Sequence, residues 1–292
     1  MRLRKHPKSP KQKGNAWFFL IFLAGFLIAS YPLVSQYYYR IEANHQVQEF
    51  DQSVSQLDKK DIERRLTLAR AFNATLKPMN FSDPFSKKEK EEGVKAYAQM
   101  LQVKEKIGYV EIPRIQQSIP IYAGTSDEVL QKGAGHLEGT SLPVGGESTH
   151  TVISAHRGLP TAKLFRQLNK LKSGDIFYIH VLDQVLAYQV QKSQVVEPSN
   201  FDPILIQKGK DLTTLLTCTP YMINSHRLLV QGKRIPYQAP IRERAIQVQE
   251  AKRYYSYLLI AAALVIALLL WIIRKQWRSL KALTSTEKET HA

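Results

Sequence analysis

Two long apolar runs lie near the ends of the chain. The first, AWFFLIFLAGFLIASYPLV, covers residues 16–34 and has no charged residue. The second, YYSYLLIAAALVIALLLWII, covers residues 254–273, with tyrosines at its start and Trp271 near its end. Each is about as long as a bilayer crossing requires, and aromatic ends are typical of membrane interfaces. The pattern predicts two transmembrane helices. A cleaved signal peptide is the alternative for the first run, since it also follows a basic start.

A polar segment with helical spacing follows the first apolar run. Over residues 36–76 the apolar positions recur at roughly three and four residues, and no Gly or Pro interrupts them. This predicts a long helix leaving the membrane. After the break in KPMNFSDPFSKKEKEEG, Ser86 and Glu89 have the spacing of a capping box. We expect a second helix from there to about residue 103, so that residues 35–106 form a helical extension.

The pattern changes at residue 107, where short apolar segments alternate with Gly, Pro and Asn. Seven of them are rich in β-branched and aromatic residues: IGYVEIP, SIPIYAG, THTVISAH, GDIFYIHV, VLAYQVQKSQVV, DLTTLLTC and RLLVQGKRI. Many short strands separated by turns predict a mainly β domain, a barrel or a sandwich. Two short helices are expected near SDEVLQKG and TAKLFRQLNKL. We place this domain at residues 107–240 and a juxtamembrane linker at residues 241–253.

The positive charge is concentrated outside this domain. The formal net charge is +16, but residues 1–15 contain six basic residues and no acid, and residues 274–292 add a net +3. The body lacks a basic stripe alternating with aromatic residues, so nucleic-acid binding is a poor interpretation. Basic tails next to apolar runs favour the cytoplasm. Both termini are therefore expected in the cytoplasm, and the domain between the two membrane helices outside the cell membrane.

Cys218 is the only cysteine in the chain. Extracytoplasmic domains usually use cysteines in pairs, so a lone thiol indicates an intermolecular bridge, a reactive group or a buried small apolar residue. Zinc binding is excluded because the sequence has no second cysteine and no HExxH run. No metal or other cofactor is expected. A catalytic thiol would require a histidine to share its proton and a donor for an oxyanion.

Several histidines are candidates for that partner. His156 is favoured because, like Cys218, it ends an apolar strand. His226 and Arg227 are adjacent on a strand and should face opposite sides, so only one of them can enter a shared site. Arg227 could also be a solvated surface charge. The remaining candidates lie in expected loops or at a strand end: His136, His150 and His180.

At this point the sequence resembles a known family. TLLTCTP followed by Arg227, with SAHRG upstream, is similar to the cysteine, histidine and arginine signature of sortases. The similarity extends over about residues 107–235. The long amino-terminal extension, the DPF motif and the second apolar run resemble class C sortases, the pilin polymerases. The resemblance implies an eight-stranded β-barrel with short helices, preceded by the helical extension and flanked by the two membrane helices.

The resemblance also implies a reaction and its residues. Cys218 would attack the Thr–Gly carbonyl of an LPxTG-type sorting signal and form a thioester. His156 would protonate the leaving amine, and Arg227 would stabilise the oxyanion or orient the substrate. The acceptor in class C is a lysine of another pilin subunit, so an isopeptide bond would result. Pilin subunits and the lipid bilayer are therefore the expected partners.

The DPF motif implies a regulatory lid. From sequence alone, Asp83 followed by Pro84 is a common helix start. In the resemblance, Asp83 would pair with Arg227 while Phe85 would pack over Cys218, which would close the free enzyme.

Three other functions are considered. A housekeeping sortase would attach proteins to peptidoglycan, a scaffold would bind pilins without ligating them, and a cysteine protease would pass the acyl group to water. The second apolar run and the DPF motif weigh against the first. The presence of all of Cys218, His156 and Arg227 weighs against the second.

Overall fold

The structure is a computed structural model, which describes residues 16–76, 98–238, 256–257, 260–275 and 278. These residues fall into two compact units. One unit consists of the described residues up to Val34 and after Gln249, and the other extends from Ser35 towards Val248.

Two helices occupy the amino-terminal part of the chain, α1 at Ala16–Ser55 and α2 at Lys59–Thr75. The sequence predicted one unbroken helix over residues 36–76, and this is wrong at residues 56–58. There the side chain of Asp58 accepts a hydrogen bond from the backbone N–H of Lys60 and caps α2. An aspartate that caps a new helix ends the preceding one without Gly or Pro.

One helix among the described residues is long and apolar enough to cross a membrane, Leu20–Ser55. Its apolar side chains near the start, such as Ile21 and Phe22, are exposed. Of the second predicted span, the described residues 256–257 and 260–273 are helical. Among the described residues, the expectation of two spans is met for one.

The predicted lid and most of the predicted second helix lie outside the described residues. The described end of that helix differs from the prediction, because residues 98–101 form a 3-10 turn. Val103 then pairs with Lys106 in an antiparallel bridge instead of continuing a helix.

Eight strands form a closed barrel in the order β1-β2-β3-β4-β7-β8-β6-β5. They are β1 Lys106–Ile112, β2 Gln117–Ala123, β3 Ala134–His136, β4 Thr149–Ser154, β5 Ile176–Val181, β6 Gln184–Val196, β7 Asp211–Thr219 and β8 His226–Ile235. The β2–β3 and β4–β7 pairs are parallel and the others antiparallel. The predicted eight-stranded barrel is confirmed, although β3 was not recognised from the sequence.

Short helices connect the strands. The predicted helix in SDEVLQKG is present as α3, Asp127–Lys132, whose cap is Ser126. The predicted helix in TAKLFRQLNKL is reduced to the 3-10 turn Leu168–Lys170. Further 3-10 turns cover Pro113–Ile115 and Asp202–Ile204.

Two apolar clusters lie on opposite faces of the barrel wall. The larger one contains interior residues such as Leu215 and Val230, together with Phe50 and Leu66 from the two helices. The smaller one contains Leu137, Val152, Ile204, Leu216 and Leu229. Neighbouring strand residues face opposite sides, so Leu215 and Leu216 belong to different clusters. Ile204, from the β6–β7 connection, covers the outer face of β4, β7 and β8.

Candidate active site

Cys218 and Arg227 are directly opposite each other, one step from the loop that connects β7 to β8. The alternation along each strand puts Cys218 on the side of Leu216 and Arg227 on the side of Leu229. Both side chains therefore lie on the outer face that the smaller apolar cluster occupies. Opposite residues in such a pair have Cβ atoms about 5 Å apart. Cys218 is 5% exposed and Arg227 7% exposed, so the thiol and the guanidinium share a partly dry environment.

The β7–β8 loop holds the Arg227 side chain. Its Nη1 donates to the backbone oxygens of Asn224 at 2.9 Å and His226 at 3.0 Å. Asn224 has a left-handed backbone with φ of 61°, a conformation that asparagine adopts more readily than most residues. These bonds direct one nitrogen of the planar guanidinium into the loop and limit its rotation at the strand end.

The parallel pairing of β4 with β7 carries His156 to the same end of the barrel. Ser154 is opposite Leu216 at the last step of that pair. The backbone continues in step, because the N–H of Ala155 donates to the Leu216 oxygen at 3.1 Å. The Thr217 hydroxyl donates to the Ala155 oxygen at 2.7 Å. His156 is two residues after Ser154, and Cys218 is two residues after Leu216, so His156 is level with Cys218. The three predicted site residues therefore lie at one end of the barrel.

Burial determines the charge of His156. The side chain is partly buried, and burial lowers its pKa below the ordinary value, while the negative charge of Asp127 acts in the opposite direction. Asp127 is the first residue of α3. A lowered pKa keeps the imidazole neutral at neutral pH, which is the form that can accept a proton from a thiol.

The other candidate histidines have different surroundings. His226 begins β8 and is half-exposed, with Nε2 3.1 Å from a Glu197 carboxylate oxygen. His180 lies in β5, stacked on the Tyr109 ring at 4.1 Å, and its Nε2 is 3.2 Å from Glu111. Neither arrangement directs the imidazole to Cys218, because both rings are held by carboxylates elsewhere.

His136 and His150 were expected in loops, and this expectation is wrong. They lie in β3 and β4 and are fully buried. The ring of His136 bonds the Ser141 oxygen at 2.9 Å, and burial lowers its pKa to about 4. The ring of His150 joins Leu205 O at 2.9 Å and Thr214 Oγ1 at 2.8 Å. Both residues tie parts of the barrel together.

Two residues near the site were missed by sequence reasoning. Asp127 acts on the charge of His156, and Arg157 binds the strand end that carries Cys218. The signal for Arg157 was its place directly after His156 in SAHRG, whereas Asp127 gave no signal of its own. Within the described ranges, no cluster of three or more His, Cys, Asp or Glu residues could hold a metal ion.

The closed β-barrel carries a thiol, an arginine and a histidine at one end. This is the set of groups that an enzyme with a cysteine nucleophile requires. Residues 110–235 match the family of sortase domains. The chain belongs to the sortase family, whose members are cysteine transpeptidases.

Solved structures place it beside sortase C proteins. It is 66% identical to sortase C of Streptococcus pneumoniae, with a TM-score of 0.63, covering 68% of this chain and 100% of that one. It is 54% identical to a pilus-related sortase C of Group B Streptococcus, with a TM-score of 0.63, covering 65% of this chain and 97% of that one. The predicted resemblance to class C sortases is confirmed.

A more distant relative is sortase D of Bacillus subtilis (strain 168), which is 30% identical over 131 residues. That match covers 44% of this chain and 63% of the relative.

Proposed function

We propose that this chain is a membrane-anchored transpeptidase that joins pilin subunits. In this proposal it cleaves LPxTG-type sorting signals between Thr and Gly and transfers the acyl group to a lysine. The observation that carries the proposal is the strand register, in which Cys218 is opposite Arg227 and level with His156.

The first half-reaction forms a thioester. The Cys218 sulfur attacks the threonine carbonyl carbon while His156 takes the thiol proton. Negative charge develops on the carbonyl oxygen, and the Arg227 guanidinium, a permanent cation with forked donors, stabilises it. The C–N bond then breaks, His156 returns its proton to the glycine nitrogen, and the carboxyl half of the signal leaves as an amine.

The second half-reaction releases the acyl group. A neutral lysine amine of another subunit attacks the thioester carbon, and His156 takes a proton from that nitrogen. The C–S bond breaks, an isopeptide bond remains, and the Cys218 thiolate recovers a proton. The thioester preserves the activation of the acyl group, so ligation outside the cell requires no ATP.

The choice of pilin as substrate is supported by similarity. The Streptococcus pneumoniae structure is described in terms of catalysis and pilin substrate specificity, and the Group B Streptococcus structure is described as pilus-related. Membrane attachment through α1, a second span over residues 254–273 and cytoplasmic termini complete the proposal. The apolar residues exposed along the first half of α1 support the anchor.

The lid is part of the same proposal. Asp83 would pair with Arg227 and Phe85 would cover Cys218, so that the free enzyme is closed. A lid that covers Cys218 would slow reagents that approach the thiol. Substituting Asp83 and Phe85 together with alanine should then raise the rate of thiol alkylation, and an unchanged rate would remove the lid from the proposal.

The deciding experiment is a mass measurement on the full-length chain in detergent micelles. After incubation with an LPxTG-type peptide, the protein should gain the mass of the peptide's acyl half. Cys218→Ala should abolish this adduct, whereas His226→Ala, at a histidine that faces Glu197, should leave it. Because the proposed lid could block entry, the Asp83→Ala/Phe85→Ala double variant is measured in parallel. Absence of an adduct in all folded proteins, across several sorting motifs, would contradict the transpeptidase function.

The acceptor separates the remaining alternatives. The preformed adduct would be given a lysine-containing pilin domain, a peptidoglycan precursor with a free amine, or buffer alone. Transfer to the pilin lysine supports the proposal. Faster transfer to the precursor would indicate a housekeeping sortase, and release at the same rate in buffer alone would indicate a protease.

A further inference from the structure

Arg157 connects the segment that carries His156 to the strand end that carries Cys218. Its Nη1 donates to the Thr219 hydroxyl at 2.6 Å and lies 3.4 Å from the Cys218 carbonyl oxygen. Its Nε lies 3.4 Å from the Arg166 carbonyl oxygen. The side chain is 9% exposed, an unusual degree of burial for an arginine.

The acceptors of these bonds explain what the burial achieves. All three are neutral oxygens, and they belong to two different parts of the chain. Hydrogen bonds from a charged donor are stronger than those between neutral groups. Removing a buried arginine from such a set leaves acceptors without partners. The guanidinium therefore holds the end of β7 and the 163–167 turn against the residue that follows His156.

The His156 segment is fixed on both sides as a result. Upstream, Ala155 makes two hydrogen bonds to β7 through Leu216 and Thr217. At His156 itself, the backbone oxygen accepts from the N–H of Phe165 at 3.1 Å. Downstream of the last β4–β7 backbone bond, the Arg157 side chain continues the connection to β7 where the regular ladder has ended.

We propose that Arg157 is a positioning residue that sets the separation between the His156 imidazole and the Cys218 thiol. This inference rests on the proposed function, in which these two groups exchange a proton. Proton transfer needs the two heavy atoms within about 3 Å of each other. A displacement of about 1 Å can reduce the rate by about a hundredfold. Loss of Arg157 therefore lowers kcat, while KM changes little because the guanidinium bonds the protein's own Thr219 hydroxyl and backbone oxygens.

The test uses the full-length chain in detergent micelles and three substitutions. Arg157→Ala removes every bond, Arg157→Lys keeps a charge but loses the fork, and Thr219→Val removes the shortest bond at nearly constant shape. Arg64→Ala, at an exposed arginine of α2, is the matched control. Two readouts are taken: kcat and KM for acylation by an LPxTG-type peptide, and the rate of iodoacetamide alkylation of Cys218 against pH.

We expect Arg157→Ala to lower kcat by about tenfold to a hundredfold with KM within about twofold of wild type, and Arg157→Lys and Thr219→Val to give smaller losses. The pH at which the alkylation rate of Cys218 is half-maximal should move toward that of an isolated thiol, about 8.5. Unchanged kcat and an unchanged midpoint in folded Arg157→Ala, even with a lower Tm, would overturn the proposal. If Arg157→Ala does not fold, unchanged values in both Arg157→Lys and Thr219→Val overturn it instead.

The two readouts separate this inference from the function on which it rests. If wild type forms no acyl adduct with any sorting peptide, the transpeptidase function fails. The alkylation midpoint of the variants still decides whether Arg157 controls the surroundings of the Cys218 thiol.

Discussion

The side chain of Asn73 pairs with the backbone of Leu142 through two hydrogen bonds. Its Nδ2 donates to the Leu142 carbonyl oxygen at 3.0 Å, and its Oδ1 accepts from the Leu142 N–H at 2.7 Å. Both residues are buried. One amide of α2 thus satisfies both backbone groups of a residue in the β3–β4 connection, in the way that a neighbouring strand would. This contact attaches the helical extension to the barrel.

Asn73→Ala should destabilise the protein by about 1–3 kcal/mol, because it leaves the buried Leu142 N–H without its partner, while the Leu142 carbonyl keeps its bond from the Val144 N–H. Urea unfolding, followed by far-UV circular dichroism, measures the change in the free energy of unfolding. Thr67→Ala, at an exposed position of the same helix, is the control and should change stability by less than about 0.5 kcal/mol. Equal effects of the two substitutions would show that the Asn73 pair contributes nothing to docking.

Arg227→Lys should reduce the acylation rate by about a hundredfold or more. Lysine keeps the charge but cannot place forked donors beside the thiol. It also lacks the geometry with which Arg227 bonds the oxygens of Asn224 and His226. Single-turnover measurement of the acyl adduct checks the rate. Lys233→Arg, at an exposed position of the same strand, controls for general effects. Full activity in Arg227→Lys would mean that charge alone suffices.

Asp127→Asn should move the acidic limb of the pH profile of kcat/KM to lower pH. The negative charge of Asp127 raises the pKa of His156 against the effect of burial. Without that charge the pKa falls further, so the imidazole stays neutral and able to accept a proton at lower pH.

The control for this prediction is Glu128→Gln, on the next residue, whose carboxylate pairs with Lys132 at 3.0 Å. It should leave the limb in place. A limb that moves upward in Asp127→Asn, or equally in both variants, would contradict the assignment of Asp127.

The buried His136 should make the fold less stable as the pH falls. Burial lowers its pKa from 6.5 to about 4. The unfolded chain therefore binds a proton between these values that the folded chain does not, and stability decreases from about pH 6.5 down to about pH 4. The shift corresponds to about 3 kcal/mol for this residue.

Urea unfolding at pH 7 and pH 4.5 measures this effect, and His136→Gln is the informative variant. Glutamine does not titrate and can still donate to the Ser141 oxygen. The His136→Gln variant should therefore lose less stability between the two pH values than wild type. The same loss in both proteins would assign the acid sensitivity to other groups.

Much of the fold was predictable because most strands alternate clearly and are separated by turn residues. Strand β3 was missed since it has three residues, one of them Gly135, and is too short to show a period. The break between α1 and α2 was missed because Asp58 forms it through a cap and not through Gly or Pro. Closure into a barrel came from the family resemblance, since it depends on pairing between distant strands.

The sequence indicated the residues of the candidate site better than the residues that position them or influence their charge. Cys218 is unique and His156 stands at the end of an apolar segment, which made both visible in the sequence. Arg227 was selected through the family resemblance, since the alternation left His226 and Arg227 both open. Arg157 was not singled out because a sequence does not show which arginines are buried. The effect of Asp127 on His156 was equally hidden, since it arises from the packing of α3 near the site and not from spacing along the chain.

The parallel pairing of β4 with β7 has a consequence for the chain before it folds. Thr217 and Ala155, which meet in that pairing, are 62 residues apart in the sequence. An unstructured chain keeps Cys218 away from both His156 and its cross-strand arginine, so its thiol has the modest reactivity of a free cysteine in solution, only a few per cent ionised at pH 7. In the proposed enzyme, the thiol of a newly made polypeptide therefore has ordinary reactivity, and it becomes a catalytic nucleophile only when the barrel closes.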